Sequence, residues 1–380
     1  MTHRKPLSDL VVSRAANCPL KVAQIVLFSI LLSFTFAHLS VAGELPPQPQ
    51  KYPPLRELAK ARGLYIGAAV AVEPLLQSSQ YQATLAREFN MVTAENALKF
   101  DATHPVRERY TFEGADAIVA FAQQHKMEVR GHTLVWHNAL PSWVSAGNFS
   151  QEEMKTILRE HIHTLVKHYR GKIYCWDVVN EGLDGNGSFA ETVWSERLGP
   201  DYMDWAFRWA HEADPKAKLF YNDYAVEEIN AKSDAMYMMV KGMLKRGVPI
   251  HGVGFQMHIS SEPSSKSLAA NIKRFNDLGL EVHITELDVA TRYMQGTVVE
   301  KLAEQARIYR GVMQVCLVAK NVKAFVMWGF TDAFSWLSRY DRKPDFPLLF
   351  DRGYQPKPAY YALAEALAKK KKSGSRDGGR

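Results

Sequence analysis

Cysteine is scarce: three residues in a chain of 380. That excludes a small disulfide-framework protein, and none of the three stands in the C-x-x-C spacing of a zinc site. Cys18 falls in the N-terminal segment, and Cys175 and Cys316 lie far apart, so the expectation is two buried free thiols. The formal net charge is +7, but almost none of it belongs to the body of the chain. Arg4, Lys5, Arg14 and Lys21 oppose only Asp9 in residues 1–42, and Lys369, Lys370, Lys371, Lys372, Arg376 and Arg380 oppose only Asp377 at the other end, which leaves residues 43–368 at −1. A near-neutral body offers no basic face to a nucleic acid. The Lys-rich end 369–380 reads as a solvated tail.

Long apolar runs are also rare, which excludes a many-span membrane protein. The one such run is 22–42, VAQIVLFSILLSFTFAHLSVA, after a basic stretch ending at Lys21. Ser40 and Ala42 supply small residues around a cleavage point, so 1–42 is read as a secretory signal, with an uncleaved signal anchor as the alternative. Either way the body is expected beyond a membrane, secreted or periplasmic, with membrane contact only through this segment. Residues 43–54, GELPPQPQKYPP, form a Pro-rich linker. No comparable break recurs before Lys369, so one domain is expected over 55–368.

With 47% hydrophobic and 23% charged residues the body can bury a large core. Within it, short β-forming apolar runs alternate with segments of helical period, the pattern of repeated βα units. Eight runs are visible, at 64–70, 89–93, 128–133, 173–179, 218–221, 252–256, 281–285 and 324–328. Eight is the number that closes a (β/α)8 TIM barrel. Helices are expected at 151–169, entered by the capping box Ser150 and Glu153, and at 298–318. Pro215 and Pro249 punctuate the chain before the fifth and sixth strands.

Polar residues cluster where the strands end: Glu95, Asn96 and Lys99; His132, Trp136 and His137; Asn180 and Glu181; Asn222 and Asp223; Gln256 and His258; Glu286 and Asp288; Trp328 and Asp332. In a barrel these ends converge on one face, where active sites of the fold lie. Two of them carry a specific chemistry. Glu181 ends the run CWDVVNE and Glu286 the run VHITE. A carboxylate straight after an apolar strand is costly unless it faces a polar pocket, and a pair of carboxyl groups is what glycosidic-bond hydrolysis requires.

WDVVNE followed by ITELD resembles the two signatures of the glycoside hydrolase family 10 endo-β-1,4-xylanases. FNMVTAENALKFDATHP, GHTLVWHNALPSWV, YNDY, GFQMH, MWGFTDAFSW and LLFDRGYQPKPAYYAL resemble that family's further blocks in order, over roughly 55–368. The resemblance implies a retaining hydrolase of xylan with Glu286 as nucleophile and Glu181 as acid/base, their carboxyl groups about 5 to 5.5 Å apart and their pKa values pushed apart. It implies that Asn180 binds the 2-hydroxyl of the sugar being cleaved, and that His258 and Asp288 form a hydrogen-bonded chain to the nucleophile. Glu95, Asn96, Lys99, His132 and Gln256 would hold hydroxyls on the non-reducing side. Trp328 and Trp336 would form walls, Trp136 a packing or sugar contact, and Tyr224 a platform on the leaving-group side. The chain departs from the family pattern at Phe100, where tryptophan is usual and a thinner wall is expected, and at Ala225, where asparagine is usual. No metal or redox cofactor is called for, and a monomer is expected. The alternatives are a retaining glycosidase on mixed or glucose-containing β-glycans, and a non-catalytic carbohydrate-binding barrel, which usually lacks one carboxylate.

Other residues carry structural expectations. His137 should support its loop, Asp177 should pair with a barrel neighbour, and Met236, Met238, Met239 and Met243 should pack a helix. His161 and His163 are expected on the surface of theirs.

Overall fold

The computed structural model describes residues 52–340 and 344–369. The chain divides into two units, Met1–Pro49 and Gln50–Arg380, and the described residues all lie in the second. The signal or anchor segment 1–42 with Cys18, the linker up to residue 51 and the tail beyond Lys369 lie outside the described residues. Among those described, no helix is long and apolar enough to cross a membrane.

Eight parallel strands form the sheet: β1 (Tyr65–Val70), β2 (Met91–Ala94), β3 (Glu128–Val135), β4 (Cys175–Asn180), β5 (Lys218–Asp223), β6 (Gly252–Phe255), β7 (Glu281–Val289) and β8 (Val322–Met327). Each pairs with the next, and β8 returns to β1 through the register Tyr65↔Ala324, so the sheet closes into the expected (β/α)8 barrel. The strands are buried on both faces, which is why they read as continuous apolar runs rather than as alternation. An extra two-residue strand, His258–Ile259, pairs with β7 and sets His258 opposite Asp288.

The helices follow their sequence signals. Gln151–His168 begins at a capping box in which Ser150 and Glu153 satisfy each other's backbone N–H groups. Val298–Val318 begins at a second one, Thr297 with Glu300. Met236 and Met243 pack into the core, whereas Met238 is exposed. Cys175 and Cys316 are free and buried, as expected.

Three expectations need correction. His161 is not a surface residue: it is fully buried and stacks on Phe100 at 3.7 Å between ring centroids, and burial holds its imidazole well below the ordinary value. Met154, Ile157, Leu158, Ile162 and Leu165 are buried along the same helix, and a 3.6-residue period puts position 161 on their face. His163 is only partly exposed. Phe100 faces this cluster, not the cleft, so phenylalanine in place of tryptophan alters packing behind the wall and does not thin it. Asp332, grouped above with functional strand-end residues, is buried against Lys357, whose Nζ donates to its Oδ2 at 2.7 Å. That ion pair anchors the start of the last helix, Pro358–Ala368.

Inside the barrel, Asp177 finds the partner expected of it. Its carboxylate accepts from Arg130 on both oxygens, Nε to Oδ2 at 2.9 Å and Nη2 to Oδ1, and from His132 Nδ1 at 3.0 Å. Arg130 also donates to His283 Nδ1 at 2.9 Å and lies over the Phe220 ring. Burial opposes the charge of Asp177, but Arg130 and His132 outweigh it and hold the carboxyl below the usual range.

Candidate active site

The C-terminal ends of the strands bring the two glutamates to one cleft. Glu286 lies in β7 where the pairing with β8 shifts register between Ile284 and Leu287. Such irregularities re-aim side chains. Its carboxylate is nearly buried and is held at both oxygens: Asn222 Nδ2 donates to Oε1 at 2.7 Å, and His258 Nε2 donates to Oε2 at 3.1 Å. The Asn222 amide cannot turn over, because Thr285 Oγ1 donates to its Oδ1 at 2.7 Å. Position 254 must be glycine for Asn222 to lie there, since a Cβ would stand 2.1 Å from Asn222 Oδ1.

His258 continues outward. Its Nδ1 donates to Asp288 Oδ2 at 3.0 Å, and Trp336 Nε1 donates to the same oxygen at 2.7 Å. Burial disfavours an imidazolium here, but Asp288 and Glu286 outweigh it and raise His258 to about 10. Burial likewise works against ionised Glu286, yet the His258 hydrogen bond and the charges of His132 and His258 keep its carboxyl below the ordinary value. Glu286 therefore remains ionised as pH falls through the ordinary carboxylate range, and the support from His258 disappears only as pH rises through about 10. Replacing His258 by Asn removes the cation and leaves the cost of burying the Glu286 charge. The acid limb of the pH profile of kcat/KM should then move upward; an unmoved limb would disprove the link.

Glu181 closes β4 with a left-handed φ of 55°, a conformation unfavourable for a residue with a Cβ and typical of functional positions. Trp136 Nε1 donates to its Oε2 at 2.9 Å and Gln256 Nε2 to its Oε1 at 3.0 Å. Trp136 is thus a direct partner of this carboxyl, and its own carbonyl accepts from Trp194 Nε1 at 2.9 Å. Asn180 Oδ1 receives N–H groups from Asn222 at 2.8 Å and Gln256 at 3.2 Å, which leaves its amide nitrogen to donate. The chain of amides Gln256, Asn180 and Asn222 therefore joins the two glutamates.

The residues expected to hold sugar assemble beside this pair. Lys99 Nζ donates to Asn96 Oδ1 at 2.8 Å and lies 4.9 Å from the Trp136 ring and 5.9 Å from the Trp328 ring. Burial lowers the Lys99 pKa, opposed by the nearby charges of Glu286 and Glu95. His132 stands edge-on to Trp328 at 5.2 Å. On the opposite side, a hollow lined by His137, Glu181, Asp184, Glu191 and Tyr224 opens next to the second carboxyl. His137, read from sequence as loop support, belongs to that hollow. Tyr224 is 40% exposed there, and the following Ala225 takes a left-handed φ of 54°, which an asparagine would adopt more readily.

Every residue proposed from sequence as catalytic, supporting or sugar-binding lies in or beside this cleft. Asn222 was visible as a strand-end residue but had no role; its contact with Glu286 depends on Thr285 and Gly254, from two other strands. Among the described residues no group of His, Cys, Asp and Glu could hold a metal ion.

The sequence pattern described as Glycosyl hydrolase family 10 matches residues 54–366. Endo-1,4-beta-xylanase B of Thermotoga neapolitana is 44% identical over 322 residues, covering 84% of this chain and 93% of that protein. Exoglucanase XynX of Acetivibrio thermocellus is 41% identical over 317 residues, 79% of this chain but only 28% of that protein's length. Among solved structures, xylanase 10B from Thermotoga petrophila RKU-1 in complex with xylobiose superposes with a TM-score of 0.81 at 43% identity, covering 84% of this chain and 98% of that one.

Proposed function

The chain belongs to glycosyl hydrolase family 10, and from that premise we propose that it is an endo-1,4-β-xylanase working by double displacement. It hydrolyses internal β-1,4 bonds of xylan. Glu286 attacks the anomeric carbon while the proton of Glu181 passes to the departing glycosidic oxygen, so the C–O bond to the leaving sugar breaks as the glycosyl-enzyme forms. Water then attacks the same carbon. Glu181 takes its proton, the bond to Glu286 breaks, and the sugar leaves with its original β configuration.

Each carboxyl accepts two N–H groups, and the observation that carries this assignment is what else surrounds them: a cation beside one and an open hollow beside the other. Glu286 is gripped at both oxygens by Asn222 and a cationic His258 and is held ionised, as a nucleophile must be. Glu181 borders the open leaving-group hollow, where a proton has to be delivered. Asn180, with its amide nitrogen available, suits the 2-hydroxyl, a contact that strengthens as charge develops on the ring. Trp328 and Trp336 offer the flat apolar surfaces that a pyranose face needs. Xylose lacks the hydroxymethyl arm of glucose, so a wall built of Glu95, Lys99 and Trp336 selects it by clash with the bulkier sugar.

The body works outside the cytoplasm, secreted or periplasmic, or held there by an uncleaved anchor. Support comes from the basic stretch up to Lys21 and the apolar run 22–42 behind it.

Hydrolysis of arabinoxylan and carboxymethyl-cellulose by the purified protein, with early products followed by NMR, tests the reading. Short β-anomeric xylo-oligosaccharides from xylan alone are expected. First-formed α-anomers would overturn the mechanism, cleavage of cellulose alone would move the substrate to glucans, and no cleavage of either would leave a binding protein.

A further inference from the structure

Behind the leaving-group hollow lies a buried charged cluster that the reaction above does not use. Lys232, in the first turn of the helix Ala231–Lys245, would ordinarily reach solvent, yet its side chain is 2% exposed and that of its partner Asp223 0%. Lys232 Nζ donates to Asp223 Oδ1 at 2.7 Å, and Tyr221 Oη donates to Asp223 Oδ2 at 2.5 Å. Two backbone groups complete it: Tyr224 N–H donates to Asp223 Oδ1 at 2.9 Å, and Gly182 N–H donates to Tyr221 Oη at 3.0 Å. A buried ion pair is a poor stabiliser compared with apolar packing of the same volume, and its best-attested use is to specify geometry.

The two backbone groups it ties belong to chain that lines the hollow: Gly182 lies between Glu181 and Leu183, and Tyr224 lines it directly. Gly182 directly follows Glu181, whose left-handed φ persists only where the surroundings over-determine it. The chain at 182 is pressed so closely that an added Cβ would stand 2.4 Å from Met203 Cε and 3.4 Å from the Tyr221 ring. Tyr224, the platform of the hollow, has the Lys232 ammonium 3.2 Å from its ring centroid.

We propose that Tyr221, Asp223 and Lys232 are positioning residues for the leaving-group half of the reaction, pinning the backbone that carries Glu181 and the ring of Tyr224. The inference rests on Glu181 being the acid/base. Its signature differs from that of general destabilisation, because misplacing the acid matters only when the departing oxygen needs a proton.

The test is Tyr221→Phe, which keeps the ring and removes only the hydroxyl that links Gly182 to Asp223. kcat/KM, which reports formation of the glycosyl-enzyme, is measured on 2,4-dinitrophenyl β-xylobioside, whose phenolate leaves unaided, and on xylohexaose, whose leaving sugar needs the proton. The expected loss is roughly 10- to 100-fold on xylohexaose and no more than about threefold on the aryl substrate. Equal losses on both, or none, would overturn the proposal. Lys232→Met is run alongside with a thermal melt, and the same discrimination is expected from whatever fraction folds. Glu181→Ala serves as the reference: if it does not discriminate, the acid/base assignment itself falls; if it does and Tyr221→Phe does not, only the positioning role falls.

Discussion

Glu286→Ala is expected to abolish xylan hydrolysis, lowering kcat on the order of 10^5-fold, the scale seen when a covalent nucleophile is removed from a site whose other parts survive. The neighbours argue that they do survive. His258 keeps Asp288, Asn222 keeps Asn180 and Thr285, and Glu181 keeps Trp136 and Gln256. Xylo-oligosaccharide binding, measured by calorimetry, should therefore stay within about tenfold of the unaltered protein, since the lost carboxylate contributes mainly at the transition state. Stereochemistry makes the test sharper. With the nucleophile's side open, azide should attack the anomeric carbon of 2,4-dinitrophenyl β-xylobioside in one displacement, expel dinitrophenolate and yield the α-azide. Glu181→Ala leaves Glu286 to form the glycosyl-enzyme, so azide should there yield the β-azide. Exchanged configurations would mean that the two roles have been assigned the wrong way round.

The second large effect concerns stability. Arg130→Met should destabilise the barrel by roughly 3–5 kcal/mol, because it strips the fully buried Asp177 carboxylate of its guanidinium and leaves it hydrogen-bonded to His132. At a few degrees per kcal/mol, the melting temperature should fall by about 10 °C. Because Asp177 also orients His132, which stands against Trp328, KM for xylo-oligosaccharides should rise as well. Adding Asp177→Leu removes the stranded charge and should recover most of the lost melting temperature while leaving KM raised. A single variant that melts within about 2 °C of the unaltered protein would show that Asp177 has another source of compensation.

Both sites show how far sequence alone reaches. The eight strands were legible because strands buried on both faces are apolar without interruption. Glu181 and Glu286 were legible as a pair, because a carboxylate straight after such a run is costly unless it faces a polar pocket and two of them match what glycosidic-bond hydrolysis needs. Arg130 and Lys232 were not: a single charged residue in a strand or helix reads as solvated, and what buries it is a partner that the local pattern does not mark. His161 stands between these cases, since its position on the apolar face of its helix was available but its polarity argued against it. Asp332 misled in the opposite direction, because an acidic strand end can equally face the substrate or a lysine 25 positions further on.

The sequence by itself determined the barrel, the pair of glutamates at its strand ends and the family, because periodicity and ordered motifs are properties of neighbouring residues. The tertiary structure alone decided which oxygen each partner holds, that Trp136 and Gln256 serve Glu181, that Asn222 joins His258 on Glu286, and that Tyr221, Asp223 and Lys232 stand behind the leaving-group side. Those are distances between residues on different strands and helices, and closure of the sheet is what brings them within a hydrogen bond of one another.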